Sequence, residues 1–303
     1  MRKHSLLSLL CVPCVALAFA ACGGDDDDGG GGEGQSDGGA KISMLNSGSK
    51  TDSSWTQSWF EGSQQAQRSL GDKAEVRYVD NLNSVDALDR AGGAALIEGA
   101  NAVIYATGEV PDSVTKHAER FTDAFVCDVE PPRDSYTENI CTIYPEFEHG
   151  AFLAGALAGL TTETDHVGVV TAIDIPFQNL QTEAFVLGAR YVNPDVKVER
   201  VFTQSLTDPA KARAAADAQF SAGADIILSA VDDAIRGVYS AAAKHDGLVI
   251  AQYTDQYDDA PDVVLTSVLY QLDKIGAQII ELAAAGNLKG KAYTYGLDEL
   301  DVG

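Results

Sequence analysis

From residue 40 onward, the sequence alternates between short apolar strands and amphipathic helices. The run begins with the strand "KISML", the helix "WTQSWFEGSQQAQRSL" and the strand "EVRYVD". It continues with the helix "SVDALDRAGGAALIEG" and the strand "AVIYAT", and the same order recurs as far as "LVIAQYT". Strands that alternate with helices form parallel sheets, because each helix returns the chain to the edge where the strand began. The pattern predicts an α/β fold of parallel sheets flanked by helices.

A weak internal repeat indicates two such sheets. The stretch "IEGANAVIYAT" at 97–107 matches "SAGADIILSAV" at 221–231. In each copy a helix end is followed by Gly-Ala-Asn or Gly-Ala-Asp and then by a buried strand. Gly99 and Gly223 fit helix C-termini, where the left-handed backbone favours glycine. We therefore expect two similar lobes, a size that suits a chain of 303 residues.

The expected lobes are built from discontinuous segments. Lobe 1 is predicted to contain residues 40–143 and 263–290. Lobe 2 is predicted to contain residues 144–262 and 291–303. The three connections between them are then expected near 142–146, 260–265 and 289–293.

The first 21 residues are typical of an export signal. They open with the basic stretch "MRKH" and continue with an apolar run at 6–19 that is too short to span a bilayer. Two alanines then precede Cys22, a pattern that resembles a bacterial lipobox. We expect residues 1–21 to be removed and Cys22 to be lipidated, which would anchor the protein outside the cell membrane. A plain secretory signal with an incidental cysteine is the alternative.

The segment 22–39 reads "CGGDDDDGGGGEGQSDGG". Its four aspartates lack a loop scaffold that would hold oxygens in fixed geometry, so a metal site is not expected there. We interpret the segment as an acidic, glycine-rich tether with an average reach of about 20–25 Å.

Charge and cysteine content narrow the possibilities further. The chain carries 45 acidic and 21 basic residues, a formal charge of −24, which argues against nucleic acid as a partner. Cys11 and Cys14 fall inside the signal and receive no role. Cys127 and Cys141 remain, and outside the cytoplasm they can form a disulfide. Both lie in apolar strands, so two buried free thiols are equally compatible with the sequence.

Polar side chains and one large aromatic follow the ends of the predicted strands. Because ligands of parallel α/β folds bind beyond the carboxyl ends of the strands, these are the candidate site residues. They are Asn46, Asp52, Trp55, Gly108, Glu109, Leu206, Asp232 and Asp255.

The chemistry of this set favours one kind of ligand. Apart from Lys50, no lysine follows these strand ends, so a phosphate or carboxylate ligand is not favoured. Trp55 can stack on a heterocycle for about 1–3 kcal/mol. A buried aspartate such as Asp232 can accept hydrogen bonds from ring N–H or amino groups. The set predicts a neutral or amine-bearing planar ligand.

Each of these residues also has an ordinary structural interpretation. Trp55 could belong to the core beside Trp59. Asp52 and Asp232 could each cap the helix that follows, and Asp255 could be a solvated loop residue.

An ordered set of stretches gives the chain a family resemblance. They are "TDSSWTQSWFEG", "EHGAFLAGALAG", "AIDIP", "LGARYVNPDVKV", "LTDPAKARAAADAQFSAGADII" and "YTDQYDDAPDVVLTSV". In their order and spacing the chain resembles the basic membrane lipoproteins, the purine-binding extracytoplasmic components of ABC-type importers. The resemblance implies a two-lobed type I periplasmic-binding fold that closes on its ligand. It also implies a monomer whose partners are a permease and an ATPase.

The resemblance also assigns roles to individual positions. Trp55 corresponds to the aromatic residue that stacks on the ligand ring. Leu206 stands where the family has a second stacking aromatic. Asn46 replaces an aspartate of the nucleoside binders, and Asp232 replaces a glycine. Tyr253 occupies an acidic position of the nucleoside-sugar site.

Two further comparisons bear on the ligand. Tyr270 replaces a family lysine, whereas Asp255 is an acid near the sugar site that persists here. Together with Trp55 and Asp232, these differences imply a free purine base, such as adenine, more than a nucleoside.

Two other functions remain open at this stage. One is a nucleoside-cleaving enzyme, although the chain has no G-x-S-x-G, HExxH or P-loop pattern. The other is a sensor lipoprotein that acts through a membrane signalling partner. We expect no enzyme activity, no cofactor and no metal site. Relatives continue beyond the position of Gly303, which leaves open a fragment or a shortened C-terminus.

Overall fold

The computed structural model describes residues 39–297. The predictions for the signal peptide, for Cys22 and for nearly all of the tether lie outside the described residues. The eleven strands of the described part are β1 (Ala40–Leu45), β2 (Ala74–Val79), β3 (Ala102–Tyr105), β4 (Phe125–Asp128), β5 (Ile140–Pro145), β6 (His166–Thr171), β7 (Lys197–Phe202), β8 (Ile226–Ala230), β9 (Leu248–Tyr253), β10 (Val264–Leu269) and β11 (Ala292–Tyr295).

The eight α-helices of the same region alternate with these strands as the sequence predicts. They are α1 (Trp55–Leu70), α2 (Val85–Ile97), α3 (Pro111–Arg120), α4 (Phe147–Thr161), α5 (Pro176–Val192), α6 (Pro209–Ser221), α7 (Ile235–His245) and α8 (Leu272–Ala284). Within residues 39–297, no helix combines the length and the apolar character needed to cross a membrane.

The strands form two sheets that are parallel throughout. The first has the order β11-β5-β4-β3-β1-β2 and the second the order β10-β9-β8-β6-β7. If β11 is left aside, both sheets follow the same order. The repeated strands β3 and β8 hold the same place in each, which confirms the internal repeat. Gly99 and Gly223 end the preceding helices with φ of 86° and 105°, as expected for left-handed C-termini.

Two strands join a different sheet from the one that the predicted lobe boundaries assign to them. β10 was expected in lobe 1 but pairs with β9 in the second sheet, and β11 was expected in lobe 2 but pairs with β5 in the first. The predicted boundaries were therefore wrong at these two strands. An apolar strand has the same sequence pattern in either sheet, so only its tertiary partner decides its place. We call each sheet with its packed helices a lobe.

The chain changes sheets at two points of the described region. The first lies at Glu146, between β5 and α4. The second lies at Tyr270 and Gln271, between β10 and α8, which packs on α1 of the first lobe. Gln271 has φ of 50°, a left-handed conformation. The third connection, expected near 289–293, does not occur there, since β11 remains in the first sheet.

Each face of each sheet has its own apolar core. In β1, Ile42 and Met44 face the cluster under α1 and α8, while Leu45 faces the cluster under α2 and α3. In β8, Ile226 and Leu228 face α4 and α5, while Ile227 faces α6 and α7. This alternation is the period of a strand buried on both faces. Rigid packing on both sides holds the carboxyl ends of the strands in place.

Glycines bring α4 and α5 into backbone contact. A Cβ atom on Gly155 would lie 2.0 Å from the carbonyl oxygen of Phe185, and one on Gly188 would lie 2.0 Å from that of Phe152. These distances leave no room for a side chain at either position. Both helices begin at the carboxyl ends of the sheets and run side by side through the second lobe.

Cys127 and Cys141 form a disulfide in the first sheet. They are direct neighbours in the β4–β5 register, with their Cα atoms 4.5 Å apart. Both side chains are fully buried. Of the two possibilities left by the sequence, the structure has the bonded pair.

Candidate functional site

The two lobes present equivalent edges to each other. In the first sheet the strand order reverses between β1 and β3, and in the second between β6 and β8. The loops that follow strands on either side of such a reversal diverge and leave a crevice, which is where open parallel sheets bind ligands. Here both crevices contribute to one cavity.

The space between the loops amounts to about 300 Å³ when the part open to solvent is included. At its centre there is room for about one water molecule. The walls come from the loops after six different strands. They are Ser47, Trp55, Thr107, Glu109, Ile173, Ile175, Phe177, Gln178, Leu206, Asp232 and Tyr253.

Trp55 is the largest side chain of the cavity and the first residue of α1. Its indole Nε1 donates a hydrogen bond to the carbonyl oxygen of Ala106, 2.9 Å away, which fixes the ring plane. The ring faces Phe177, with centroids 5.6 Å apart and planes inclined by 9°. Tyr253 meets the same ring edge-on at 5.3 Å. Trp55 thus both lines the cavity and belongs to an aromatic cluster, so the two interpretations of this residue coexist.

Phe177 and Gln178 stand in the first turn of α5, after Pro176 at its first position. The side-chain oxygen of Gln178 accepts hydrogen bonds from Thr171 Oγ1 at 3.0 Å and from the backbone N–H of Ile173 at 2.9 Å. These two bonds determine which way the amide points.

Asp232 follows β8 and is 6% exposed. Within the described residues its carboxylate accepts no hydrogen bond, and no lysine, arginine or histidine lines the cavity. Burial, together with the nearby acids Asp52, Glu109 and Asp233, raises the pKa of Asp232 well above its usual range. A buried carboxyl group of this kind is costly to leave without a hydrogen-bond partner.

Asp52 acts as a helix cap. Its carboxylate accepts hydrogen bonds from the backbone N–H groups of Ser54, Thr56 and Gln57 at 2.9–3.0 Å. It does not line the cavity. Burial raises the pKa of Asp52, and the three N–H bonds offset part of that rise. Of its two interpretations the structure has the cap, and the acid contributes to the site through its charge.

Gly108 and Glu109 follow β3. Glu109 lines the cavity, where its Oε2 accepts a hydrogen bond from Thr107 Oγ1 at 2.8 Å. Gly108 lines a neighbouring space shared with Glu109 and Ile175. A Cβ atom at Gly108 would lie 2.8 Å from Oε1 of Glu130, so only glycine fits without displacing that acid.

The remaining predicted residues divide into two groups. Leu206 and Tyr253 line the cavity. Tyr253 is buried with φ of 76°, a strained conformation for a residue with a side chain, and it holds the ring against Trp55. Asn46 is fully buried beside α1, where Thr56 donates to its Oδ1, and does not line the cavity. Asp255 is exposed and accepts a bond from the backbone N–H of Tyr257, so the site does not include it.

The sequence reasoning missed several walls of the cavity, above all Phe177 and Gln178. Their segment, "IDIPFQN", follows a predicted strand end, which was the available signal. Among residues 39–297, no group of three or more His, Cys, Asp or Glu is arranged to hold a metal ion.

Two parallel sheets of the same strand order, with a cavity between their carboxyl ends, define the class of type I periplasmic substrate-binding proteins. Solved structures support this class. An ABC transporter solute-binding protein from Aeropyrum pernix K1 aligns with a TM-score of 0.77 at 18% identity, over 86% of this chain and 75% of that chain. One from Burkholderia multivorans aligns with a TM-score of 0.69 at 15% identity, over 82% of this chain and 93% of that one. At such identities the likeness shows the fold alone.

The chain belongs to the family described as ABC transporter substrate-binding protein PnrA-like, whose model matches residues 40–303. A relative named purine-binding protein from Brucella abortus is 26% identical over 86% of this chain and 73% of its own length. Basic membrane protein B from Borreliella afzelii is 26% identical over 76% of this chain and 69% of its own length. The predicted family and fold class are confirmed.

Proposed function

We propose that this protein is an extracytoplasmic substrate-binding lipoprotein of an ABC-type importer and that it captures a purine between its lobes. The observation that carries the proposal is the buried carboxylate of Asp232, without a protein partner in the described region, in a cavity walled by Trp55 and Phe177. A purine offers flat faces to the two rings and N–H groups to the carboxylate. The relative named a purine-binding protein supports the same ligand class.

Within the purines, we favour a free base such as adenine over a nucleoside. The acids that the resemblance places near a sugar are altered here. Tyr253 is part of the aromatic cluster, and Asp255 is exposed and hydrogen-bonded to its own loop. A nucleoside would have to extend its sugar into the neighbouring polar space lined by Ser49, Asn81 and Asn83. The carboxylates of Glu109 and Asp233 also line that space.

Transport follows from the contribution of both lobes to one ligand. Trp55 and Glu109 belong to the first lobe, and Phe177 and Asp232 to the second. A ligand that touches both lobes stabilises the closed form by its higher affinity for that form. The closed surface would then be recognised by a permease, which an ATPase drives. We expect the protein to act as a monomer.

We further propose that the protein is anchored by lipid at Cys22. The segment from residue 1 to 22 supports this through its signal-like pattern. A Cys22→Ser variant should then appear in the soluble fraction of expressing cells, while the wild-type protein stays with the membrane. Retention of the variant at the membrane would contradict the anchor.

A ligand-sensing role is the second candidate. A stretch of 162 residues is 30% identical to a protein named transcriptional activator Med from Bacillus subtilis, over 53% of this chain. The same cavity would serve a sensor, with a signalling protein in place of the permease. We do not propose an enzyme, because the family to which the chain belongs is described as one of substrate-binding proteins.

Titration calorimetry tests the proposal. Adenine, guanine, hypoxanthine and their nucleosides would be titrated into the protein, with pentoses and amino acids as controls. We expect binding of at least one purine and of no control. Binding of a control alone, or of none of the purines, would overturn the proposed ligand.

A further inference from the structure

The side-chain amide of Gln178 is held in one orientation, and its N–H groups have no protein partner in the described region. Its Oε1 is occupied by Thr171 Oγ1 and by the N–H of Ile173. A backbone N–H can only donate, so the atom that faces it must be the amide oxygen. The side-chain nitrogen Nε2 is therefore the polar atom of Gln178 that remains for other partners.

That nitrogen donates no hydrogen bond within the described residues, although Gln178 is only 2% exposed and lines the cavity. An amide donor that borders the cavity and has no protein partner is available to a ligand. The cavity lining thus includes a donor without a partner in the described region, Gln178 Nε2, and two carboxylates with free acceptor oxygens, those of Asp232 and Glu109. Gln178 and Asp232 both come from the second lobe: Gln178 lies in the first turn of α5, which follows β6, and Asp232 follows the adjacent strand β8.

We propose that Gln178 is a specificity-determining residue, whose Nε2 donates a hydrogen bond to an unprotonated ring nitrogen of the bound purine while Asp232 accepts from an N–H group. The proposal rests on the proposed function. A purine base carries ring nitrogens of both kinds at its rim, whereas stacking on Trp55 and Phe177 alone would not distinguish one flat ring from another. The donor and the acceptor together distinguish purines by the positions of protonated and unprotonated nitrogens along the ring edge.

Thr171 has a supporting part. Its hydroxyl donates to Oε1 of Gln178 and lies at the end of β6, a strand packed on both faces. Thr171 is therefore a positioning residue, since it touches the amide and not the cavity. Pro176, the first residue of α5, has a fixed backbone angle that suits the first helical turn.

The test pairs ligand analogues with variants. The ligands are adenine and its 1-deaza, 3-deaza and 7-deaza analogues. In each analogue one ring nitrogen of adenine is replaced by C–H. Their dissociation constants would be measured by calorimetry for the wild type and for Gln178→Met. In the wild type, one analogue should bind about tenfold more weakly than adenine, because it leaves Nε2 unbonded. In Gln178→Met, the ratio for that analogue should fall to about one.

Two further variants separate specificity from folding. Gln181→Met changes another buried glutamine of α5, which bonds Gln252 and Tyr270 and does not line the cavity. It should keep the wild-type ratios. Gln178→Glu keeps an oxygen for Thr171 and Ile173, so it serves where Gln178→Met fails to fold. At pH 8 it should bind adenine at least tenfold more weakly, because an acceptor replaces the donor.

The outcomes distinguish this inference from the proposed function. If the wild type binds adenine but no deaza analogue binds more weakly, Gln178 does not read a ring nitrogen. Persistence of the ratio in Gln178→Met would overturn the inference in the same way. If the wild type binds no purine at all, the proposed function fails, and the inference fails with it.

Discussion

The rings of Trp55 and Phe177 lie parallel across the cleft, with centroids 5.6 Å apart and planes inclined by 9°. Two stacking layers of about 3.5 Å each require about 7 Å between the outer rings. The rings must therefore move apart to admit a flat ligand between them. Trp55 is in the first lobe and Phe177 in the second, so this separation is an opening of the cleft.

Phe177, rather than Leu206, should supply the second stacking face. Phe177→Ala is expected to weaken purine binding about 10- to 100-fold, the effect of losing one stacking partner. Leu206→Ala also shortens a cavity side chain, but it removes no ring, and should weaken binding by less than about fivefold. Calorimetry of both variants with adenine gives the comparison. A larger loss at Leu206 would show that the stack lies where the family resemblance implied.

Asp232→Asn should stabilise the ligand-free protein while it abolishes purine binding. The pKa of Asp232 is raised in the folded protein, so the folded state holds its proton over a pH range in which the unfolded state has lost it. The carboxylate therefore lowers the stability of the folded protein as pH rises from the usual aspartate range through the raised pKa. The variant lacks this contribution and should be more stable than the wild type at pH 8.

Thermal unfolding of both proteins at pH 5 and pH 8 tests this sign. Burial and the charge of Asp128 raise the pKa of Glu130 to about 7. Glu130 therefore also makes stability fall as pH rises, equally in both proteins. Only the difference in stability between the two proteins reports on Asp232. The advantage of Asp232→Asn should grow from pH 5 to pH 8. An advantage that shrinks as pH rises would contradict the unpartnered carboxylate.

Gly155→Ala should destabilise the second lobe strongly. The new methyl group would lie 2.0 Å from the carbonyl oxygen of Phe185, so α4 and α5 must separate. We expect a loss of about 2–3 kcal/mol or more, measured by urea unfolding. Gly93→Ala in α2 is the matched control, because its nearest neighbour is a side-chain atom of His117 at 3.3 Å. There the higher helix propensity of alanine should keep the change within about 1 kcal/mol. Equal effects at both sites would contradict the close helix contact.

The disulfide between Cys127 and Cys141 should stabilise the protein because the loop it closes restricts the unfolded chain. The two residues are 14 positions apart, and a loop of that size implies about 3 kcal/mol. Cys141→Ala should lower the unfolding free energy by an amount of that order. Peptide mass mapping after alkylation without reductant should show no label on Cys127 or Cys141 of the denatured wild type. Labels on both residues under the same conditions would mean that the thiols are free.

Much of the fold can be predicted from this sequence because each element is locally consistent. The segment proposed for α1 coincides with the observed helix, and the repeat around Gly99 and Gly223 correctly anticipated two sheets of equal order. The exchange of β10 and β11 could not be predicted. Both are short edge strands, and their choice of sheet depends on which neighbouring edge is free after the rest has folded.

The site could be predicted only in part, for a related reason. Trp55, Glu109, Leu206 and Asp232 were expected from their places after strand ends and Tyr253 from the family resemblance, and the structure brings them together. Asp52 and Asp255 follow the same rule, yet one caps α1 and the other remains exposed. A strand end gives the edge on which a residue lies but not the direction of its side chain. For the same reason, the sequence did not predict that Phe177 and Gln178 line the cavity.

The most direct measurement is the mass of the small molecule that the protein retains when purified under native conditions. Native mass spectrometry would be followed by release and identification of the ligand, with Asp232→Asn prepared in parallel. The account predicts a purine, most directly adenine, on the wild type and none on the variant. A sugar or an amino acid on the wild type, or a purine retained equally by Asp232→Asn, would contradict it.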